Sequence, residues 1–324
     1  MTALLKSREV ILALAIALLL VLIASRFPAF VTPGNLARVF TDTSPLIILA
    51  LGQMAVILTK CIDLSVAANL ALCGMVAALA NGAGLPLPLI LLAALALGAA
   101  LGAINGLLVW KLEIPSIVVT LGTMTVFRGI IFVLTDGRWI NAHQMSDGFK
   151  AFPRTVLLGL PVMGWIALVA VAGFAVLVNR TPLGRALFAV GGNPHAAVYT
   201  GISVGRTQFA AFVISGAMAG FTGYLWVARY AVAYVDIAGG FELDVVAACV
   251  IGGIAIAGGA GSVAGAVMGA LFLGIVKNAL PVIGVSPFWQ MAISGAAILV
   301  AIAFNARNSR PQGRIILKSA EHRT

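Results

Sequence analysis

The chain has 324 residues, of which 61% are hydrophobic and only 9% are charged, and its mean hydropathy is +1.10. Soluble domains carry about 25% charged residues, so this composition excludes them and predicts an all-α polytopic membrane protein. The long uninterrupted apolar runs also exclude a transmembrane β-barrel, whose strands alternate in polarity. The net charge of +10 does not indicate nucleic acid as a partner, because the basic residues are scattered among predicted loops.

A helix needs about 20 apolar residues to cross a bilayer, and this length predicts about ten spans in a single transmembrane domain over residues 1–324. The expected spans are residues 10–24, 45–59, 64–80, 87–110, 116–134, 162–178, 208–228, 245–258, 262–280 and 288–304. The second, third and eighth are short or interrupted by polar residues. The first follows Lys6 and Arg8 as a signal peptide would, but no sharp cleavage site comes after it, so we expect a retained helix.

Most of the Lys and Arg residues fall on one side of the membrane when the N-terminus is placed in the cytoplasm. The positive-inside rule then predicts that both termini are cytoplasmic, with a basic tail from about residue 305 to 324 at the membrane surface. On this topology the polar segment 136–160 is the longest outer loop, and a shorter outer loop includes Arg229 and Glu242. These outer loops are interpreted either as a surface for an extracytoplasmic partner or as ordinary solvated loops.

Residues 181–201 form a polar island between apolar runs, and their pattern predicts two short cytoplasmic helices. Thr181 is expected to cap the first helix with Pro182 at its first position, and Gly191 and Gly192 are expected to end it. Asn193 and Pro194 repeat the start signal, and Gly201 closes the second helix. Two such helices suggest a docking surface for another protein, although an ordered connector has the same pattern.

A weak internal repeat is visible in the glycines. A GxxxGxxxG series occurs at Gly98, Gly102 and Gly106 and again at Gly261, Gly265 and Gly269. Each series follows an acidic-apolar opening, around Asp63 in the first half and around Asp244 in the second. Because the predicted topology places Asp63 inside and Asp244 outside, the two copies would be inverted, as in many transporters. Chance spacing among 36 glycines is the alternative, and tight helix packing is the ordinary role of such series.

The chain carries no motif for catalysis or for metal binding. No Lys follows a Gly, so a P-loop for ATP hydrolysis is excluded, and the three His residues are too far apart to suggest a metal site. Cys61, Cys73 and Cys249 form no CxxC pair and are interpreted as buried apolar residues. The span centres are nearly free of charge, which disfavours an ion-coupled carrier.

Mildly polar side chains inside the predicted spans are candidates for a translocation path. Hydroxyl and amide groups of this kind would offer exchangeable hydrogen bonds to a neutral, hydroxyl-rich solute. For each residue taken alone, hydrogen bonding between helices of the bundle is an equally good interpretation. The candidates are Gln53, Ser65, Asn69, Asn105, Ser116, Thr120 and Thr123.

Taken together, these residues resemble the permease subunits of bacterial carbohydrate-import ABC transporters of the ribose, rhamnose and autoinducer-2 type, over nearly the whole chain. Residues 121–123 and 136–140 look closer to the rhamnose and autoinducer-2 branches. One departure is Ala67, where many relatives carry Gly. The resemblance rests on Ile62-Asp63-Leu64-Ser65-Val66, Asn105-Gly106, residues 114–123, Arg128-Gly129-Ile130, Thr181-Pro182-Leu183-Gly184-Arg185, Gly192-Asn193, Ala196-Ala197 and the glycine-rich stretch 252–269.

The resemblance implies a multi-pass protein of the bacterial inner membrane that binds no cofactor itself and works by alternating access. Its expected partners are a cytoplasmic ATP-binding subunit carrying ATP and Mg, a second identical or paralogous permease, and a periplasmic sugar-binding protein. A facilitative or ion-coupled secondary carrier is the alternative function. The resemblance assigns the coupling to that ATPase to a loop at about residues 179–206, through Thr181, Pro182, Leu183, Gly184, Arg185, Ala189, Gly192, Asn193, Ala196, Ala197 and Gly201.

Overall fold

The computed structural model describes residues 8–286 and, beyond them, positions 289, 292, 295 and 296. The tenth predicted span and the basic tail lie outside these described residues, apart from those four positions. In the described part the chain forms twelve α-helices: α1 Arg8–Arg26, α2 Pro33–Leu58, α3 Val66–Gly82, α4 Leu87–Lys111, α5 Ser116–Thr135, α6 Asp147–Arg154, α7 Val162–Arg180, α8 Pro182–Gly192, α9 Pro194–Tyr199, α10 Val204–Tyr230, α11 Phe241–Ile251 and α12 Val263–Val282.

Seven of the described helices are long and apolar enough to cross a membrane, namely α1, α2, α4, α5, α7, α10 and α12. The shorter apolar helix α3 has 17 residues and is almost wholly buried in the bundle. These eight helices overlap the first seven predicted spans and the ninth, although α2 begins at Pro33, well before the predicted start at residue 45. The mostly helical, membrane-spanning class predicted from composition is therefore confirmed.

The eighth predicted span, residues 245–258, is wrong as a continuous helix. Helix α11 has 11 residues and ends at Ile251, so it is about 17 Å long against about 30 Å of hydrocarbon. The chain then continues without regular structure to Ser262. Gly253, Gly258 and Gly259 each have a positive φ there, a left-handed conformation that ends a helix and favours glycine.

Helix α10 lies at the centre of the bundle, in contact with α2, α3 and α4. Small residues bring the α4 and α10 backbones together: a Cβ on Gly220 would lie 2.8 Å from Gly98 Cα, and one on Gly216 would lie 2.8 Å from Gly102 Cα. Such distances leave no space for a side chain. The glycine series of α4 therefore acts in helix packing.

We expect Gly216→Leu to reduce strongly the yield of folded protein, because a leucine cannot fit between the touching backbones of α4 and α10. Overpacking of this kind costs about 1–3 kcal/mol or more. The control is Gly122→Leu on α5, where an added Cβ meets nothing within 4 Å. The measurement is the detergent-extracted monodisperse fraction and its thermal midpoint. Equal monodisperse fractions and equal thermal midpoints for the two variants would contradict the close packing of α4 against α10.

The two ends of the bundle differ in character. At one end the chain after α10 pairs with the loop after α5, through the antiparallel strands β1 (Ile140–Asn141) and β4 (Val232–Ala233). The hairpin of β2 (Val156–Leu157) and β3 (Leu160–Pro161) follows α6 at this end, which we call the strand end. The segment 136–160, predicted as an outer loop, is therefore structured, with α6 packed on α10.

Helices α8 and α9 lie at the opposite end, which we call the α8–α9 end. Helix α2 reaches it at Leu58, whose carbonyl accepts a hydrogen bond of 3.0 Å from the N–H of Gly259. The start of α12 is linked to the start of α1 by the Ser262 hydroxyl, which donates to Glu9 over 2.9 Å. The segment from α11 to Gly259 therefore runs from one end of the bundle to the other.

Candidate functional site

Local sequence signals account for the two-helix segment α8–α9. The Thr181 hydroxyl accepts from the N–H of Gly184 at 3.1 Å, and the Asn193 side chain accepts from Ala196 at 3.1 Å. A proline follows each cap, and Gly201 closes the segment with a φ of +82°. The predicted helix starts at Thr181 and Asn193 and the predicted end at Gly201 are therefore confirmed.

The predicted stop at Gly191 and Gly192 needs a correction. Both glycines belong to α8, which ends only where Asn193 becomes extended. Neither of them adopts the left-handed conformation, so their role here is not to end the helix. The space around Gly191 provides the physical reason for a glycine at that position.

Gly191 lies where three backbones meet, in a contact that we call the glycine junction: Leu58 at the end of α2, Gly191 of α8, and Gly258 and Gly259 after α11. A Cβ on Gly191 would overlap the Leu58 carbonyl oxygen and the Gly259 nitrogen. Gly258 and Gly259 have φ values of +81° and +72°, which other residues rarely adopt. At this junction the backbones of α8, α2 and the broken eighth span are in direct contact, with no space for a side chain between them.

The predicted coupling residues divide between an outward and an inward face. Pro182, Arg185, Gly192, Asn193, Ala196 and Gly201 are exposed, whereas Thr181, Leu183 and Ala189 are half-buried and Gly184 and Ala197 are buried. The exposed face also carries Val198 and Tyr199, the latter 91% exposed. Sequence reasoning left these two out, although an apolar and an aromatic residue at the end of a short polar-flanked helix were a usable signal.

The candidate path residues gather around the connector between α2 and α3. Ser116 accepts from the Ile62 N–H at 3.1 Å, and the Thr120 hydroxyl lies 3.4 Å from the Ile62 carbonyl. With its amide oriented to satisfy both groups, Gln53 bonds the backbone N–H and C=O of Asp63 at 3.1 Å each. Side chains of α2 and α5 therefore meet at this connector.

The Asp63 carboxylate is the centre of this polar cluster. It accepts from the Ser65 hydroxyl at 2.6 Å, the Ser65 N–H at 2.9 Å and the Ser215 hydroxyl at 3.2 Å. Asn105 donates to Ser65 at 2.8 Å. Burial raises the pKa of Asp63, and the hydrogen bonds from Ser65 and Ser215 oppose that shift. Asp63 and Ser215 were not among the predicted path residues.

Two of the candidates lie apart from this cluster. Asn69 donates to the Gly98 carbonyl at 3.2 Å and accepts from the Cys73 thiol at 3.2 Å. The Thr123 hydroxyl lies 3.4 Å from the carbonyl of Thr120 on its own helix. Cys73, like Cys61 and Cys249, is a free and buried cysteine, as predicted.

A cavity of about 660 Å³ adjoins the polar cluster towards the α8–α9 end. Ser116 is the candidate path residue on its wall, beside Lys60, Cys61, Trp110 and Gln208. Gln208 also donates to the Thr59 carbonyl over 3.4 Å. A solute that reached this cavity would meet the hydroxyl, amide and indole groups of these residues and the charged groups of Lys60 and Glu113.

Comparison with known proteins identifies the family. The model of a family described as "Branched-chain amino acid transport system / permease component" matches residues 35–302. The chain belongs to this permease family. As a permease component it is a multi-pass protein of the inner membrane and a non-catalytic subunit, and the resemblance to permeases of ABC importers is confirmed.

The permease is similar to two named groups of importers. It is 37% identical to the autoinducer 2 import system permease protein LsrC of Enterobacter sp. (strain 638), over 95% of this chain and 89% of that protein. It is also 37% identical to the ribose import permease protein RbsC of Escherichia coli (strain K12), over 89% and 91%. No solved structure matches the chain.

We expect Asp63→Ala to destabilise the permease, because it leaves the buried hydroxyls of Ser65 and Ser215 without their acceptor. Each unsatisfied group costs about 1–3 kcal/mol. Asp63→Asn is the matched variant, since its amide oxygen still accepts from Ser65 and its NH2 group can donate to the Ser215 hydroxyl oxygen. Thermal unfolding in detergent checks this expectation, with Asp63→Ala melting well below Asp63→Asn. Equal midpoints would mean that the carboxylate does not organise the cluster.

Proposed function

We propose that this permease forms the translocation path of an ATP-driven importer of a small neutral sugar, with the exposed face of α8–α9 as the surface that receives a separate ATPase. The observation that carries the proposal is the glycine junction. It ties α8 directly to the end of α2 and to the broken eighth span. Because backbone atoms touch backbone atoms at this junction, a displacement of α8 is transmitted directly to α2 and to the eighth span.

The proposed topology has ten crossings with both termini in the cytoplasm. Helix α11 and the irregular segment to Gly259 together make the eighth crossing, in which Gly252 and Ile254 are buried in the bundle and Ile256 and Ala257 are exposed. The strand end then faces the periplasm and the α8–α9 end the cytoplasm. The tenth crossing falls on residues 288–304, outside the described part.

The proposed inverted repeat is supported by the position of the two acidic openings. Asp63 lies in the connector just before α3, towards the α8–α9 end, whereas Asp244 lies on α11 at the strand end. The second glycine series packs as closely as the first: a Cβ on Gly269 would lie 2.7 Å from the Gly252 nitrogen. Inverted copies that meet near the midplane are typical of transporters.

The proposed assembly contains a cytoplasmic ATP-binding subunit that holds ATP and Mg, a second permease, identical or paralogous, and a periplasmic binding protein. In this assembly residues 1–324 form one transmembrane domain that binds no cofactor and no nucleic acid. ATP binding closes the ATPase, α8 moves with it, and the helices reorient around the polar cluster. The coupling loop of residues 179–206 and the path residues keep the roles that the sequence predicted for them.

The solute class follows from the relatives and from the polar cluster. The names of the relatives assign ribose and autoinducer 2 to those proteins. In this permease, the uncharged groups Ser116 and Gln208 line the cavity beside the connector, together with Lys60 and Glu113. Hydroxyls and amides exchange hydrogen bonds with a polyol without retaining it strongly, which suits transport of a neutral sugar.

Reconstitution of the purified complex in proteoliposomes tests this proposal. We expect uptake of labelled D-ribose to require ATP and the binding protein, and to persist when proton and sodium gradients are abolished. The matched control is the same complex with an ATPase subunit whose P-loop lysine is replaced. Uptake that follows an ion gradient and ignores ATP would instead establish a secondary carrier.

A further inference from the structure

A second cavity, of about 380 Å³, lies at the strand end between α2, α10, α11 and α12. This volume is within the range of ligand pockets, about 300–1,000 Å³. The cavity adjoins the last residues of α10, whose 27 residues place it about 40 Å from the α8–α9 end. It is therefore separate from the cavity beside Ser116 and lies on the proposed periplasmic side.

One wall of this cavity is aromatic. Trp226 packs against Tyr230 with ring centroids 5.2 Å apart and against Phe241 edge-on at 5.0 Å. Trp226 and Tyr230 join an apolar ring to a polar tip, so they offer both a stacking face and a hydrogen-bonding group. The C–H face of a sugar ring is apolar and suits such a wall.

The other wall is charged but balanced. Asp42 accepts from Arg229 at 2.8 Å, and Asp244 pairs with Lys277. Asp42, Asp244 and Lys277 line the cavity, and each is paired with an opposite charge, Asp42 with Arg229 from outside the lining. An ionised carboxylate has about four acceptor sites and an ammonium three donor sites, so both pairs retain capacity for a ligand's hydroxyls.

We propose that this cavity is a binding site for a neutral polyhydroxylated solute, which stacks on Trp226 and exchanges hydrogen bonds with Asp42 and Lys277. The proposal rests on the proposed function, because it places the imported solute on the periplasmic side of the permease before transport. The paired charges favour a neutral ligand over an anion or a cation, since a charged ligand would have to compete with an existing ion pair.

A cysteine at the rim of the cavity tests the site. Gly239 is exposed and lines the cavity, and the atoms nearest to a Cβ there belong to the carboxylate group of Asp236, the first at 2.7 Å. The native cysteines are buried, so a membrane-impermeant maleimide should label Gly239→Cys selectively in the assembled complex. The control is Gly148→Cys on α6, an exposed position with no atom within 4 Å of the added Cβ and no part in the cavity.

We expect millimolar D-ribose to slow labelling of Gly239→Cys several-fold and to leave Gly148→Cys unchanged. Adding Trp226→Ala to Gly239→Cys should remove the protection while the labelling rate without sugar stays the same. The site is refuted if D-ribose protects neither or both cysteines, if protection survives Trp226→Ala, or if sugar-free binding protein gives the protection instead. The assay needs no ATP, so ATP-dependent uptake measured in the same vesicles separates failure of the site from failure of the proposed function.

Discussion

Gly191→Ala should reduce ATP-driven uptake at least about tenfold, whereas Gly173→Ala on α7 should transport normally. The alanine methyl at position 191 would overlap the Leu58 carbonyl oxygen and the Gly259 nitrogen. Backbone atoms cannot rotate away as a side chain can, so α8 must shift relative to α2. A misfit of about 1.4 kcal/mol or more corresponds to the tenfold loss.

A glycine outside the coupling loop provides the control for this effect. Gly173 lies on α7, is exposed, and has no atom within 4 Å of an added Cβ. Both variants are assayed for uptake, for ATPase activity and for the amount of intact complex. We expect Gly191→Ala to assemble with reduced uptake per ATP hydrolysed. Normal uptake by Gly191→Ala would show that the junction does not carry motion between α8 and the membrane helices.

Arg185→Glu should uncouple the transporter, with uptake reduced about tenfold or more and the permease still in the membrane. Arg185 is exposed on α8, as are Pro182 and Asn193, on the surface where the proposed ATPase would bind. Reversing a charge in an interface places it against groups arranged for the opposite sign, which costs several kcal/mol when the site is desolvated.

Arg38→Glu is the control for the change of charge. Arg38 is exposed near the start of α2, at the end of the bundle away from α8. Uptake and ATPase recovery are measured in both variants at matched membrane levels. Wild-type uptake in Arg185→Glu would remove this residue from the coupling role, and equal losses in both variants would indicate a general effect of charge.

Helix-capping signals that are local in sequence were sufficient to predict the segment α8–α9. The hydroxyl of Thr181 and the amide of Asn193 each cap a helix within three residues of themselves, and Pro182 and Pro194 follow them directly. Nothing distant is needed to form these turns. The sequence alone therefore predicted both helices, although it did not predict which of their residues face outwards.

The broken eighth span needed information that a hydropathy pattern does not contain. Residues 245–258 are apolar enough for a helix, but Gly258 and Gly259 turn left-handed and Gly259 bonds Leu58, about two hundred residues away in sequence. The polar cluster likewise depends on contacts between residues that are distant in sequence. Ser116 and Thr120 share a face of α5 as predicted, but their partner Ile62 comes from a connector that only the folded bundle brings near.

The central claim is that this permease receives a separate ATPase on the face of α8–α9. The most direct measurement is affinity purification of the tagged chain from its native membrane in mild detergent, with mass spectrometry of the co-eluting proteins. Our account predicts an ATPase with a P-loop in the eluate of the wild type and much less of it with Arg185→Glu. Recovery of the permease alone, under conditions that keep a known ABC complex intact, would contradict it.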